Sequence, residues 1–149
     1  MSSHRHFALP GQRCSALRLL CIQDDIADKL IEMIIGAVRQ LRIGDPRDTA
    51  THIGQVIDGE ARDNLQSYCE TIKGTHKFLY AGIAPSQGSF FAPRIIEIEK
   101  ASDLTREVFG PVLHIVRWKA GSADDPDNGE LAQLLDDIAA NGYGLTLGV

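Results

Sequence analysis

The segment Gly11-Gln12-Arg13-Cys14-Ser15-Ala16 holds the residue type best suited to covalent chemistry, a cysteine placed behind a glycine and ahead of small residues. That order can set the thiol at the start of a helical turn, where backbone N–H groups favour a thiolate and any oxyanion formed beside it. A nucleophilic cysteine needs such a setting. The alternative for Cys14 is a small packing residue. Cys21 sits in an apolar run and Cys69 on an apolar helical face, so both read as packing residues. The three cysteines form no C-x-x-C pair and no His/Cys metal spacing.

A second segment, Arg106-Glu107-Val108-Phe109-Gly110-Pro111, turns out of a loop into an apolar run. Glu107 and Phe109 therefore stand at a strand entrance, where sites are often built. A carboxylate can accept hydrogen bonds from a ribose diol, and a phenyl face can press on a flat heterocycle. The alternative is a surface glutamate and a core phenylalanine.

Periodicity supplies the elements that must position these residues. Leu17 to Gln23 reads as a short buried strand. Ile26, Leu30, Met33, Ile34, Ala37, Val38 and Leu41 recur at helical spacing, with Asp24 or Asp25 as the expected cap and Gly44 and Pro46 as stop signals. A polar loop to about Asp58 precedes a second helix carrying Ala61, Leu65, Tyr68, Cys69 and Ile72. Lys77 to Ala81, Phe90 to Ile98 and Val112 to Trp118 read as strands, Pro93 marking an edge or an entry. A third helix over Leu131 to Ala139 stops at Asn141-Gly142, and a further strand is expected from Leu145 to Val149. Strands alternating with helices predict an α/β fold, a layered and mostly parallel sheet with flanking helices.

At 149 residues and 16.3 kDa the chain has room for one core. A net charge of −5 leaves no basic stripe for phosphates, so nucleic acid is not an expected partner. No apolar run approaches the roughly 20 residues of a membrane helix, and the cysteine usage points to a cytoplasmic setting. Residues 1–10 join no periodic segment; a disordered start is expected there rather than a metal site at His4 and His6.

In combination these segments resemble the aldehyde dehydrogenase superfamily from Gly11 to the last residue. GQRCSA resembles its active-site cysteine motif and GDPRDTATHIGQVID the loop that follows. FFAPRIIEI resembles its next strand, REVFGPV its cofactor-contacting motif and NGYGLTLGV the segment after that. Five motifs in the right order are specific. The wording is most similar to the pyrroline-5-carboxylate (glutamate semialdehyde) dehydrogenase part of bifunctional proline-utilisation enzymes. The chain departs from the usual pattern at Gln55, where proline is common, and at Arg94, where threonine is common.

The resemblance implies NAD as cofactor and a small-molecule aldehyde as substrate. By it, Cys14 attacks the aldehyde to give a thiohemiacetal whose hydride passes to nicotinamide, and its own N–H helps form the oxyanion hole. Ser15 lies near the substrate carboxylate, Glu107 holds the nicotinamide ribose and Phe109 packs near the ring. The superfamily's Rossmann domain, general-base glutamate and oxyanion-hole asparagine precede the cysteine, and its substrate-anchoring loop and oligomerisation strands come later. The expectation is therefore that residues 11–149 are a partial catalytic domain, a fragment inactive by itself. Two other readings stand beside it. One is a non-catalytic module that self-associates, as a homo-oligomer, or docks on a partner. The other is a thiol enzyme pairing Cys14 with His52, His76 or His114.

Overall fold

The structure, a computed structural model, describes residues 11–122, 124–125, 129–142, 144 and 147–148. A short continuous apolar run puts β1 (Leu19–Gln23) into the sheet, and the chain runs from it directly into α1 (Asp24–Arg39). The helix α2 (Gly59–Ile72) starts at Asp58, whose carboxylate accepts the Ala61 N–H at 2.8 Å. There follow β2 (Lys77–Ala81), β3 (Arg94–Ile98), a 3-10 turn (Ala101–Asp103), β4 (Val112–Trp118) and α3 (Leu131–Ala140).

The strands form one four-stranded sheet in the order β1-β4-β3-β2. β4 pairs in parallel with β1 and with β3, while β2 joins β3 antiparallel with a bulge between Phe78 and Tyr80. The sheet is therefore mostly parallel, as the alternation of strands and helices predicts. Its two faces are both covered, which is why β3 and β4 read as nearly continuous apolar runs. One face carries Ile96, Ile98, Val112 and Val116 against Leu65 and Cys69 of α2 and Leu134 of α3. The other carries Ile22, Ile95 and Ile115 against Ala27, Ile31 and Val38 of α1.

One expectation needs correction, and two open readings are decided. Neither Asp24 nor Asp25 caps α1: the N-cap is Gln23, with no side-chain bond, because β1 continues straight into the helix and carries both acids into its first turn. There they still complement the helix dipole. Pro93 is a strand entry rather than an edge, since β3 is paired on both sides. Arg13 to Ala16 close a single turn, the Ala16 N–H donating to the Arg13 carbonyl at 3.1 Å, and no helix follows it. Of the strand expected over 145–149, Leu145, Thr146 and Val149 lie outside the described residues, as do residues 1–10.

Candidate active site

The two segments singled out by residue type both lead into the amino ends of neighbouring parallel strands. The turn holding Cys14 precedes β1, and the loop holding Glu107 and Phe109 precedes β4. The register pairs Leu19 with His114, so the two approaches arrive side by side. They touch through backbone. The Gly110 N–H donates to the Gly11 carbonyl at 3.1 Å. Gly11 has φ +67°, and a Cβ there would stand 2.0 Å from the Gly110 carbonyl oxygen. Only glycine permits both that backbone conformation and that approach.

Arg18 completes the junction. Its Nη2 donates to the Arg13 carbonyl at 2.7 Å, and its Nη1 donates to the carbonyls of Cys14 at 3.2 Å and Ala16 at 3.3 Å. From the same guanidinium, Nε donates to the Val108 carbonyl at 3.2 Å and Nη1 lies 3.0 Å from Glu107 Oε1. The guanidinium carbon stands 4.3 Å from the centre of the Phe109 ring, a cation–π contact. One planar cation thus grips the thiol turn on one side and the Glu107–Phe109 loop on the other. The Cys14 thiol is exposed, as is Ser15. Among the described residues nothing accepts the backbone N–H of Cys14. Phe109 remains 43% exposed despite its size.

Behind the junction lies a buried polar triad. The Arg18 carbonyl accepts both the backbone N–H of His114 at 2.8 Å and its Nδ1 at 3.1 Å. A carbonyl can only accept, so Nδ1 carries the proton and Nε2 is free to accept from the Tyr68 hydroxyl at 2.8 Å. Burial, the largest cause, pushes the His114 pKa down to about 4 and keeps the ring neutral. The same cause raises the Tyr68 hydroxyl to about 12. His114 is therefore engaged on both ring nitrogens and is not a base for Cys14. His52 is committed as well, its Nδ1 accepting the Arg42 N–H at 3.1 Å.

Sequence reasoning missed Arg18 and His114 as organisers. The signal was present: each is a polar residue flanked by apolar ones, in LRLLCIQ and VLHIVRW, where a buried polar group must find partners. Cys21 and Cys69 are packing residues, with thiol pKa values raised by burial. The two departures from the usual pattern find local uses. Gln55 Oε1 accepts from the Ser89 N–H at 2.8 Å, and Arg94 Nη1 donates to the carbonyls of Gly82, Ala92 and Pro93 at 2.9 to 3.2 Å.

An α/β layer with a thiol turn and an acid–aromatic loop welded at adjacent strand entrances defines a class, and comparison with known proteins agrees. The sequence model of the aldehyde dehydrogenase family matches residues 2–128, and the chain belongs to that family, a family of oxidoreductases. Bifunctional protein PutA of Escherichia coli (strain K12) is 40% identical over 151 aligned residues, covering 96% of this chain. The chain spans 11% of that relative's length. A crystal structure of a Bradyrhizobium japonicum proline utilization A (PutA) mutant superposes with a TM-score of 0.86 at 50% identity, over 97% of this chain and 14% of that one. A structure of PnpE in complex with nicotinamide adenine dinucleotide gives a TM-score of 0.68 at 32% identity, over 74% of this chain and 24% of that one.

Proposed function

We propose that this chain supplies the nucleophile and part of the cofactor clasp of an NAD-dependent dehydrogenase that oxidises glutamate semialdehyde, in equilibrium with pyrroline-5-carboxylate, to glutamate. The observation that carries the reading is one nitrogen, Arg18 Nη1, bonded both to the Cys14 carbonyl and to Glu107. Through it a thiol and a diol-binding acid share one guanidinium. The relatives named proline utilization A support the substrate class.

The residues present suit the cofactor. Glu107 spends one oxygen on Arg18 and keeps the other for a ribose hydroxyl, and half-exposed Phe109 offers a ring edge and face to a flat heterocycle. NAD, when bound, supplies the hydride acceptor. The Cys14 sulfur adds to the aldehyde carbon, a C–S bond forms and the thiol proton ends on the former carbonyl oxygen. The N–H of Cys14, left without an acceptor in the turn, is available to stabilise that oxygen while it is an oxyanion. The thiohemiacetal carbon then gives up its hydride to the acceptor and its hydroxyl its proton to water, leaving a thioester, and water breaks the C–S bond, releasing the carboxylic acid and restoring the thiol. Ser15, the next residue on the turn, offers its hydroxyl to the substrate's distal carboxylate. A reducing, cytoplasmic setting suits a thiol that must remain free.

The 149-residue chain assayed by itself is expected not to turn over, since losing a positioned general base alone typically costs about 10²- to 10⁴-fold. The test therefore reads capture rather than turnover. Glutamate semialdehyde should protect Cys14 from alkylation by iodoacetamide saturably, with no NADH formed. Absence of protection at millimolar aldehyde would overturn the reading. A second reading, self-association, is favoured by the exposure of Leu17, Ile57 and Ile83 (92% for the last). A single monomeric species in light scattering would remove it.

A further inference from the structure

We infer that Arg18 is a positioning residue which couples the thiol turn to the cofactor clasp, so that a change at Glu107 or Phe109 is felt at Cys14. The inference rests on the dehydrogenase reading for its meaning, although the coupling itself is a matter of geometry.

Two features separate this from a residue that merely stabilises its own turn. The first is the division of its bonds. Three carbonyls on the turn, at Arg13, Cys14 and Ala16, and three groups on the distant loop, the Val108 carbonyl, the Glu107 carboxylate and the Phe109 ring, are all held by one rigid plane. A guanidinium cannot tilt toward one set without moving away from the other. The second is its support from behind. The Arg18 carbonyl is fixed twice by His114, and His114 is fixed by Tyr68 of α2. The stem of Arg18 is thus anchored to the sheet while its head joins the two loops. With its side chain only 14% exposed, water offers the head little replacement for a lost partner.

The consequence for the reaction is a fixed relation between sulfur and clasp. A ribose hydroxyl that draws the Glu107 carboxylate pulls on Arg18 Nη1, and the same nitrogen holds the Cys14 carbonyl. Occupancy of the clasp therefore tightens or releases the turn that aims the sulfur.

The test uses the full chain with a nitroxide attached to exposed Cys14 and needs neither substrate nor cofactor, so its failure is separable from failure of the dehydrogenase reading. Glu107→Gln, a change on the far loop, should abolish the immobilised component of the label's spectrum. Arg18→Met should do the same, and the double variant should be no more mobile than Arg18→Met alone. Arg18→Lys, which keeps the charge but not the fork, should restore only part of it. An Arg18 that serves only its own turn leaves the Glu107→Gln spectrum unchanged, and that result overturns the inference. Equal effects of Glu107→Gln with and without Arg18 overturn it too. Should Arg18→Met fail to fold, Glu107→Gln in the Arg18→Lys background gives the same comparison.

Discussion

The two ends of the sheet each gather charge around an arginine, and they do so differently. At the carboxyl end, Arg117 of β4 reaches Asp28 at 2.7 Å, Glu97 at 3.0 Å and Asp24 at 3.4 Å, with Lys77 adding 3.7 Å to Glu97. Every charge there meets its opposite, and the hydrogen bond that Arg117 donates to Asp28, with the other acids, raises the Arg117 pKa further. At the amino end Arg18 meets one carboxylate and several carbonyls, beside an exposed thiol. The first arrangement pairs charge with charge, although Glu97 Oε2 and Arg117 Nε, both buried, make no hydrogen bond. The second leaves an acid, a ring and a thiol with unused capacity, and unused capacity is what a site requires. Ligand sites of open α/β sheets usually lie at the carboxyl ends of strands; the candidate site proposed here lies at the opposite end, in the loops that enter them.

That contrast can be broken from the amino end first. Gly11→Ala should be the most damaging single change, at about 3 kcal/mol, since the new methyl collides with the Gly110 backbone at a positive φ. Chemical denaturation measures it. Acid comes next. His114 is held neutral in the fold with its pKa near 4, against 6.5 for an ordinary histidine. Its contribution is complete above about pH 6.5 and is lost as pH falls toward 4, by up to about 3 kcal/mol. His114→Gln should flatten that part of the stability profile. Arg18→Met should cost about 2 kcal/mol through charged hydrogen bonds left unmade, resolved by the same denaturation curves. Arg117→Met, at the charge-paired end, should cost only about 1 kcal/mol, and 0.5 M or so of salt should erase most of the difference. If Arg117→Met proved the costlier of the two, the contrast between the ends would collapse.

Much of the fold was legible because the apolar residues repeat cleanly. Lys77–Ala81 and Val112–Trp118 appear with the bounds that their patterns predict, and α2 and α3 stop just ahead of Gly74 and Gly142. Boundaries that depend on tertiary partners were not legible. β1 begins at Leu19 rather than Leu17, because the Arg18 side chain belongs to the turn before it. The antiparallel pairing of β2 has no local signature, since strand direction follows from where the long loops lead. For the site, Cys14, Glu107 and Phe109 were visible as residue types at suggestive places. Their common organiser was not, because nothing in a linear pattern says that positions 18 and 108 meet.

The weld between Gly11 and Gly110 carries a kinetic consequence. Arg18 and Val108 are 90 positions apart, and the thiol turn, though closed by local bonds, is fixed against the Glu107 loop by partners that arrive only with β4. Loop-closure entropy is met before such distant contacts return anything. During folding the sulfur-bearing turn stays unanchored until β4 has docked between β1 and β3. In pulse-labelled hydrogen exchange the Gly110 amide should accordingly gain protection no earlier than the amides of β4, which makes the junction of the two loops a late property of this chain.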